Sequence, residues 1–190
     1  KVFPGQEVTP HGVVERVVLA QSTTEKRNLR ASSGGLIKEL IHHLLAQDDI
    51  DGVLALDEAQ GLDYHVRLIT HPDEIDQLPG SIYHAVPLDG TLRLLEENKG
   101  RFVIVGIPCQ LEGVYNYIFN QAPELAERIA FSIGLLCGWL YSHHAVEAIS
   151  KFKKIDASAI TQISYRGGGP IGKLQISTEE KTTRIGRRVD

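Results

Sequence analysis

Cys109 and Cys137 are the only thiols in this sequence, and each follows an apolar run that reads as a buried strand. Residues 102–105 precede Gly106-Ile107-Pro108-Cys109-Gln110, and a helix-like stretch, residues 111–120, follows it. Residues 129–136 run into Cys137-Gly138-Trp139. A thiol at the carboxyl end of a strand stands where open α/β sheets gather ligands. Gly106 permits a sharp turn or a close approach, and Pro108 stiffens the loop expected to carry Cys109. If the two strands are adjacent and parallel, both thiols reach one edge. Iron–sulfur ligation, thiol redox chemistry and a cysteine nucleophile paired with His84, His143 or His144 are all open. So is the plain alternative of two unrelated core cysteines. No hydrolase signature surrounds either one.

Ser32, Ser33, Gly34 and Gly35 stand where a helix should begin. The first N–H groups of a helix lack intrahelical partners, and glycines there admit an anion to the backbone, so a phosphate cradle is one reading. A serine N-cap on a permissive turn is the other. Tyr165-Arg166-Gly167-Gly168-Gly169-Pro170-Ile171-Gly172-Lys173 is a glycine-rich connection between two strands with a cation near each end. It can lie flat on a ligand whose anionic groups meet Arg166 and Lys173, or be a long hairpin. Tyr83 and Trp139 suit stacking on a flat ring as well as ordinary packing.

The elements that must position these residues are legible in outline. Residues 13–20 are rich in β-branched side chains and read as a strand, and residues 21–30 as a polar loop. Apolar residues at 36, 37, 40, 41, 44 and 45 predict an amphipathic helix over 36–46. Strands are expected at 53–56 and 65–70, a helical turn after Pro72, and a helix at 91–97. Ser142 should cap a helix with Val146, Ile149 and Phe152 on its apolar face. Strands at 159–164 and 173–177 end the chain. Strands alternating with helices imply an α/β fold, a mainly parallel or mixed sheet flanked by helices, with a smaller β-rich C-terminal part. The expected division is residues 1–155 as core and residues 156–190 as extension.

A net charge of −4 and the lack of a long basic run argue against a nucleic-acid partner. No apolar stretch reaches transmembrane length. Two cysteines make no disulfide framework, so a cytoplasmic setting is expected. The chain starts at Lys1 and contains no methionine, so the sequence is expected to be part of a longer one.

Taken together, these segments resemble the beta subunits of coenzyme F420 hydrogenases and dehydrogenases, a flavin and iron–sulfur family. The run Arg30 through Gly35 is similar to its serine-serine-glycine-glycine motif, and Asp51-Gly52-Val53-Leu54 to the strand that follows. Gly80-Ser81-Ile82-Tyr83 resembles its glycine-serine-x-tyrosine loop. The cysteine motif at 106–110 matches with Ile107 in place of threonine, and Cys137-Gly138 matches a second step. Residues 165–174 resemble its glycine-rich stretch, with Pro170-Ile171-Gly172 in place of tryptophan-proline-glycine. Six segments in order cover roughly residues 13–178.

The resemblance implies an oxidoreductase subunit in which FAD passes electrons between an iron–sulfur relay and an organic hydride acceptor, of the coenzyme F420 type or related. The family also includes subunits linked to formate dehydrogenases and reductases of chlorophyll derivatives. It implies FAD contacts at Ser32, Ser33, Gly34, Gly35, Tyr83, Gly106, Pro108, Gln110, Arg166, Gly167, Gly168, Gly169, Gly172 and Lys173. Cys109 and Cys137 would be cluster ligands. Two thiols do not complete a 4Fe-4S cluster, and family members usually carry more cysteines. A redox partner subunit or ferredoxin-like donor, a small-molecule hydride acceptor and an oligomeric state are implied as well. Two other readings stand beside it: a non-catalytic electron-transfer or assembly module of the same fold, and a cysteine-dependent hydrolase using Cys109.

Overall fold

In the computed structural model, residues 16–142, 144–167 and 172–186 are described. Two short helices open this part, α1 (Glu25–Arg30) and α2 (Leu36–Ala46). The antiparallel pair β1 (Gly52–Gln60) and β2 (Asp63–Ile69) follows, then α3 (Gly90–Glu97), β3 (Phe102–Gly106), α4 (Pro108–Gln121) and β4 (Ile129–Gly134). The sheet order is β2-β1-β3-β4, with β1, β3 and β4 parallel. After α5 (His144–Lys153), the strands β5 (Ile160–Gly167), β6 (Lys173–Thr178) and β7 (Thr182–Ile185) form an antiparallel second sheet. The fold is α/β with a mixed sheet flanked by helices and a β-rich C-terminal part.

Strand alternation builds two cores on opposite faces of the first sheet. Leu54, Phe102 and Ile104 point to one side, where Leu95 of α3 and Leu111, Val114 and Ile118 of α4 cover them. Val53, Ala55 and Val103 point to the other, against Ile41 and Leu45 of α2 and Ile75. Burial on both faces is why residues 53–56 of β1 and 102–105 of β3 read as unbroken apolar runs. A third core joins Val146 of α5 to Ile160, Ile163, Tyr165 and Ile176 of the second sheet.

Three local expectations are corrected. Residues 16–20 form no strand; Val17 and Leu19 are exposed, and β-propensity without a partner strand does not make one. The polar stretch before residue 31 contains α1, held down by the buried Arg27. Cys109 lies inside the first turn of α4 rather than on a loop, because Pro108 occupies a first-turn position where its missing N–H costs nothing. Farther on, the Ser142 hydroxyl accepts from the His144 N–H at 3.2 Å, as a cap should, yet Phe152 is exposed while Val146 is buried.

The second sheet docks at the tip of the β1–β2 hairpin. The Gly61 N–H donates to the Thr161 carbonyl at 3.0 Å. At φ +62° and with the Ile160 carbonyl 2.8 Å from where a Cβ would stand, position 61 has room only for glycine. His84 completes the joint. Its Nε2 lies 3.1 Å from the Leu62 carbonyl, which can only accept, so Nε2 carries the proton and Nδ1 accepts the Tyr165 hydroxyl at 2.7 Å. Burial lowers the His84 pKa and raises those of Tyr64, to about 12, and of Tyr165.

The sign for His84 is fixed. A folded pKa below the unfolded value of about 6.5 means that the unfolded chain takes the proton first as pH falls. This contribution to stability is therefore complete above pH ~6.5 and declines below it, until the folded pKa is passed. Urea midpoints at pH 7.5 and 5.5 should differ for the unaltered chain and differ less for His84→Gln. Equal pH dependence in both would remove His84 from the joint.

Candidate cofactor site at the carboxyl edge of the sheet

Gly106 and Gly134 pair in register at the carboxyl ends of β3 and β4. The Leu135 N–H to Gly106 carbonyl bond, 2.9 Å, extends the pairing by one residue. Cys109 and Cys137 each lie three residues beyond these glycines, so the two segments leave one edge in step. Both thiols are free and exposed. The expectation of adjacent parallel strands is met, whereas burial as core cysteines is not. The segment after β4 is apolar yet open: Leu136 and Trp139 are exposed, and Leu135, Leu140 and Tyr141 are partly so.

The connection from Leu78 to Leu88 ties both ends of this edge together. At one end, the Ser81 N–H donates to the Ser32 hydroxyl at 3.1 Å. At the other, the Gln110 side-chain amide donates to the Val86 carbonyl at 2.7 Å, and its oxygen accepts from the Ile107 N–H at 3.3 Å. Ser81 and Val86 are five residues apart, which an extended chain spans in at most about 18 Å. Between them, Tyr83 meets Tyr141 and Tyr165 edge-on, with ring centroids 6.2 and 5.5 Å away. Tyr141 stacks on Tyr165. A groove of about 240 Å³ runs beside Cys109 and Gln110, lined by Leu88, Asp89, Leu92, Gly113 and Val114.

The start of α2 is uncapped. Gly35 stands at the N-cap with no side-chain hydrogen bond, because Ser32 is engaged by Ser81, and Ser33 is exposed. The serine-cap alternative is therefore not what the chain adopts. Gly34 and Gly35 both lie in the left-handed region, at φ +57° and +70°. Around Gly35 the packing is close, with Ser22 Cβ and the Arg27 carbonyl 3.2 and 3.3 Å from the Cβ position. The glycines are thus required by the turn itself, and a β-branched residue at either position costs folding as well as ligand approach.

Arg166 and Gly167 end β5, and Gly167 pairs with Lys173, so the glycine-rich segment closes an antiparallel hairpin. Gly168 and Gly169 lie outside the described residues. Gly172 has its Cβ direction filled by the Arg166 backbone, and Lys173 is exposed. The Arg166 Nε is buried with no hydrogen-bond partner among the described residues. Buried guanidinium nitrogens are normally satisfied. Of the histidines weighed as partners for a thiol, His84 has both ring nitrogens engaged, His144 lies 3.6 Å from Glu147, and His143 is outside the described residues.

One group under the site carries no sequence signature. Arg27 is buried; its Nε bonds Asp76 at 2.7 Å, its Nη2 bonds the other Asp76 oxygen at 3.3 Å, and its Nη1 bonds Glu39 at 2.9 Å. Hydrogen bonding to Asp76 raises the Arg27 pKa, and Arg27 in turn lowers that of Asp76. Glu39 is lowered first by the Ser22 hydroxyl and then by Arg27. These partners lie up to 49 residues apart, so no local spacing could have announced them. No helix among the described residues is long and apolar enough to cross a membrane.

Comparison with known proteins agrees with this architecture. The N-terminal model of the coenzyme F420 hydrogenase/dehydrogenase beta subunit matches residues 17–93, and the C-terminal model residues 99–188. A component of the F(420)H(2) dehydrogenase of Methanosarcina mazei is 24% identical over 145 residues, which are 75% of this chain and 41% of that protein. Among solved structures, a chain of the F420-reducing [NiFe] hydrogenase complex from Methanosarcina barkeri superposes with a TM-score of 0.67 at 18% identity. The match covers 87% of this chain and 58% of that one. The chain therefore spans about half the length of these relatives.

Two glycine substitutions should move stability in opposite directions. Gly35→Ala puts a Cβ on a left-handed backbone in a tight space and should cost about 1–2 kcal/mol. Gly113→Ala, inside α4 with open space at its Cβ position, should gain about 0.5–1 kcal/mol. Denaturant midpoints read both. A neutral Gly35→Ala would contradict the turn geometry.

Proposed function

The chain belongs to the family of coenzyme F420 hydrogenase/dehydrogenase beta subunits, and from that premise we propose that it is an oxidoreductase subunit that binds FAD. In this reading it moves electrons between an iron–sulfur relay and an organic hydride acceptor of the coenzyme F420 type. The observation that carries the reading is the buried Arg166 Nε, which has no hydrogen-bond partner among the described residues and lies one residue from Tyr165 in the aromatic group beside Tyr83. A guanidinium nitrogen left without a partner in a folded protein is suited to an anionic ligand. The uncapped, two-glycine start of α2 offers a second anion contact, through backbone N–H groups.

The residues present fit a flavin nucleotide. The α2 start with Ser33 and the Arg166 to Lys173 hairpin would hold its phosphates. Tyr83 and the exposed Trp139 offer ring faces. Gly106, Pro108 and Gln110 shape the backbone at the sheet edge, with Gln110 fixing the Val86 carbonyl. FAD supplies hydride transfer when bound. The chain's own residues bind it, orient it and shield it from water. Residues 1–155 would then be the flavin-binding core, with residues 156–190 as its β-rich extension.

A cluster fits less well. Such a cluster takes about four thiolates, and the described residues gather no group of three histidine, cysteine, aspartate or glutamate ligands. Cys109 and Cys137 can furnish two corners at most, so no step is derived through a cluster. A redox partner subunit or ferredoxin-like donor would approach this edge. The thiol count also favours a second reading, a non-catalytic electron-transfer or assembly module. The two separate on flavin content: the redox enzyme reconstitutes yellow with FAD, the module stays colourless.

Two measurements test the assignments in the full-length protein prepared without oxygen. Arg166→Met should weaken FAD binding by about tenfold or more, equivalent to ~1.4 kcal/mol; unchanged affinity would free Arg166 from the site. Cys109→Ser tests the thiol: iron content that falls while flavin stays bound would make Cys109 a cluster ligand. Normal iron and normal electron transfer to the flavin would make Cys109 a surface residue.

A further inference from the structure

We propose that Arg27, with Asp76, Glu39 and Ser22, is a positioning clamp that holds the residue 32–35 turn in its anion-binding shape. The inference rests on the flavin reading of that turn and assigns a role to residues outside it.

Three elements converge on one guanidinium. Arg27 comes from α1, Glu39 from the first turn of α2, and Asp76 from the helical turn after Pro72. The fork to Asp76 uses both carboxylate oxygens, which fixes the guanidinium plane. The remaining Nη1 takes Glu39, whose Oε2 also accepts the Ser22 hydroxyl. Ser22 is itself buried, and its backbone N–H donates to the Gly34 carbonyl at 2.6 Å. An unbroken path of bonds thus runs from Asp76 through Arg27, Glu39 and Ser22 into the backbone of Gly34. A parallel path leaves the same helix: Lys38 Nζ bonds the Leu78 carbonyl, at the root of the connection whose Ser81 holds Ser32.

The α2 start needs such support. Two successive left-handed residues are held open with no side-chain cap to fix them. The Gly35 N–H turns back to the Ser33 carbonyl at 2.6 Å, and the N–H groups that follow have no side-chain cap, as the first N–H groups of a helix lack intrahelical partners. Burying an arginine with two carboxylates is a costly way to gain stability, since apolar residues of similar volume do as well or better. What the ionic cluster adds is direction. It fixes the turn in register with α1 and with the connection from Leu78.

A stabilising residue and a positioning residue differ in what their loss does to ligands. Loss of the clamp misdirects the N–H groups that meet phosphate and leaves contacts to the flavin ring untouched. FAD and riboflavin share the ring, and only FAD carries phosphate. The experiment measures the dissociation constants of both for the full chain and for Ser22→Ala, Arg27→Met and Arg27→Lys. Lys151→Met, which breaks the Lys151 pair with Glu147 within α5 and touches no element of the clamp, serves as control. Circular dichroism establishes that each variant is folded, and Ser22→Ala is the mild change that keeps the backbone bond to Gly34.

The clamp requires FAD affinity to fall about tenfold in Arg27→Met and severalfold in Ser22→Ala, with riboflavin affinity unchanged. Arg27→Lys should recover part of the loss, and Lys151→Met should show none. Equal weakening of both ligands, or no weakening in folded variants, overturns the clamp and leaves the flavin reading standing. If the unaltered chain binds neither ligand, the flavin reading falls and the clamp with it.

Discussion

Parallel pairing of β1, β3 and β4 is the constraint on which everything else depends. It sends three carboxyl ends to one edge, and the in-register pair of Gly106 and Gly134 makes the two exits simultaneous. Both thiols, the Gln110 contact and the exposed apolar segment after β4 stand where they do because of that pairing. Helices on both faces are required in turn, since a sheet of this kind must be covered twice. The three cores follow from strand alternation and from the docking of the second sheet at the β1–β2 tip.

The connection from Leu78 to Leu88 has no regular structure, yet it organises the edge. It carries the donor that occupies Ser32, the tyrosine that meets Tyr165, the histidine that joins the sheets and the carbonyl that receives Gln110. Segments of this kind are positioned by a rigid scaffold and carry function for that reason. Here the scaffold holds it at both ends and in the middle. A shift at Ser32 therefore has a mechanical route to Gln110.

Much of this was legible in the sequence because it was local. The pairs at 36–37, 40–41 and 44–45 announced α2 to the residue, and the apolar run before Gly106 announced β3. The start of α4 is where the sequence misleads: the helix begins at Pro108 rather than at Leu111, with the proline inside its first turn. Residues 16–20 misled because strand propensity says nothing about a neighbour to pair with. Position 27 misled because an arginine in a polar stretch looks solvated until Asp76 and Glu39 arrive from elsewhere. The Tyr165 to His84 bond, 81 residues long in sequence, is hidden for the same reason. The serines and glycines at 32–35 were visible as a turn, but which partner each serine would take was decided by Ser81.

β4 stands at the end of its sheet, and residues 129–142 contain no charged side chain. Natural edge strands are commonly guarded by lysine, proline or a bulge that discourages another strand from adding itself. This one has no charge or proline along it; its one irregularity is the extra residue Ala130 near its start, and Leu136 and Trp139 stand open just beyond its end. Such an edge is a template for intermolecular pairing whenever nothing else lies against it. The consequence is practical: held in isolation, the chain presents on this one strand a surface through which copies can associate.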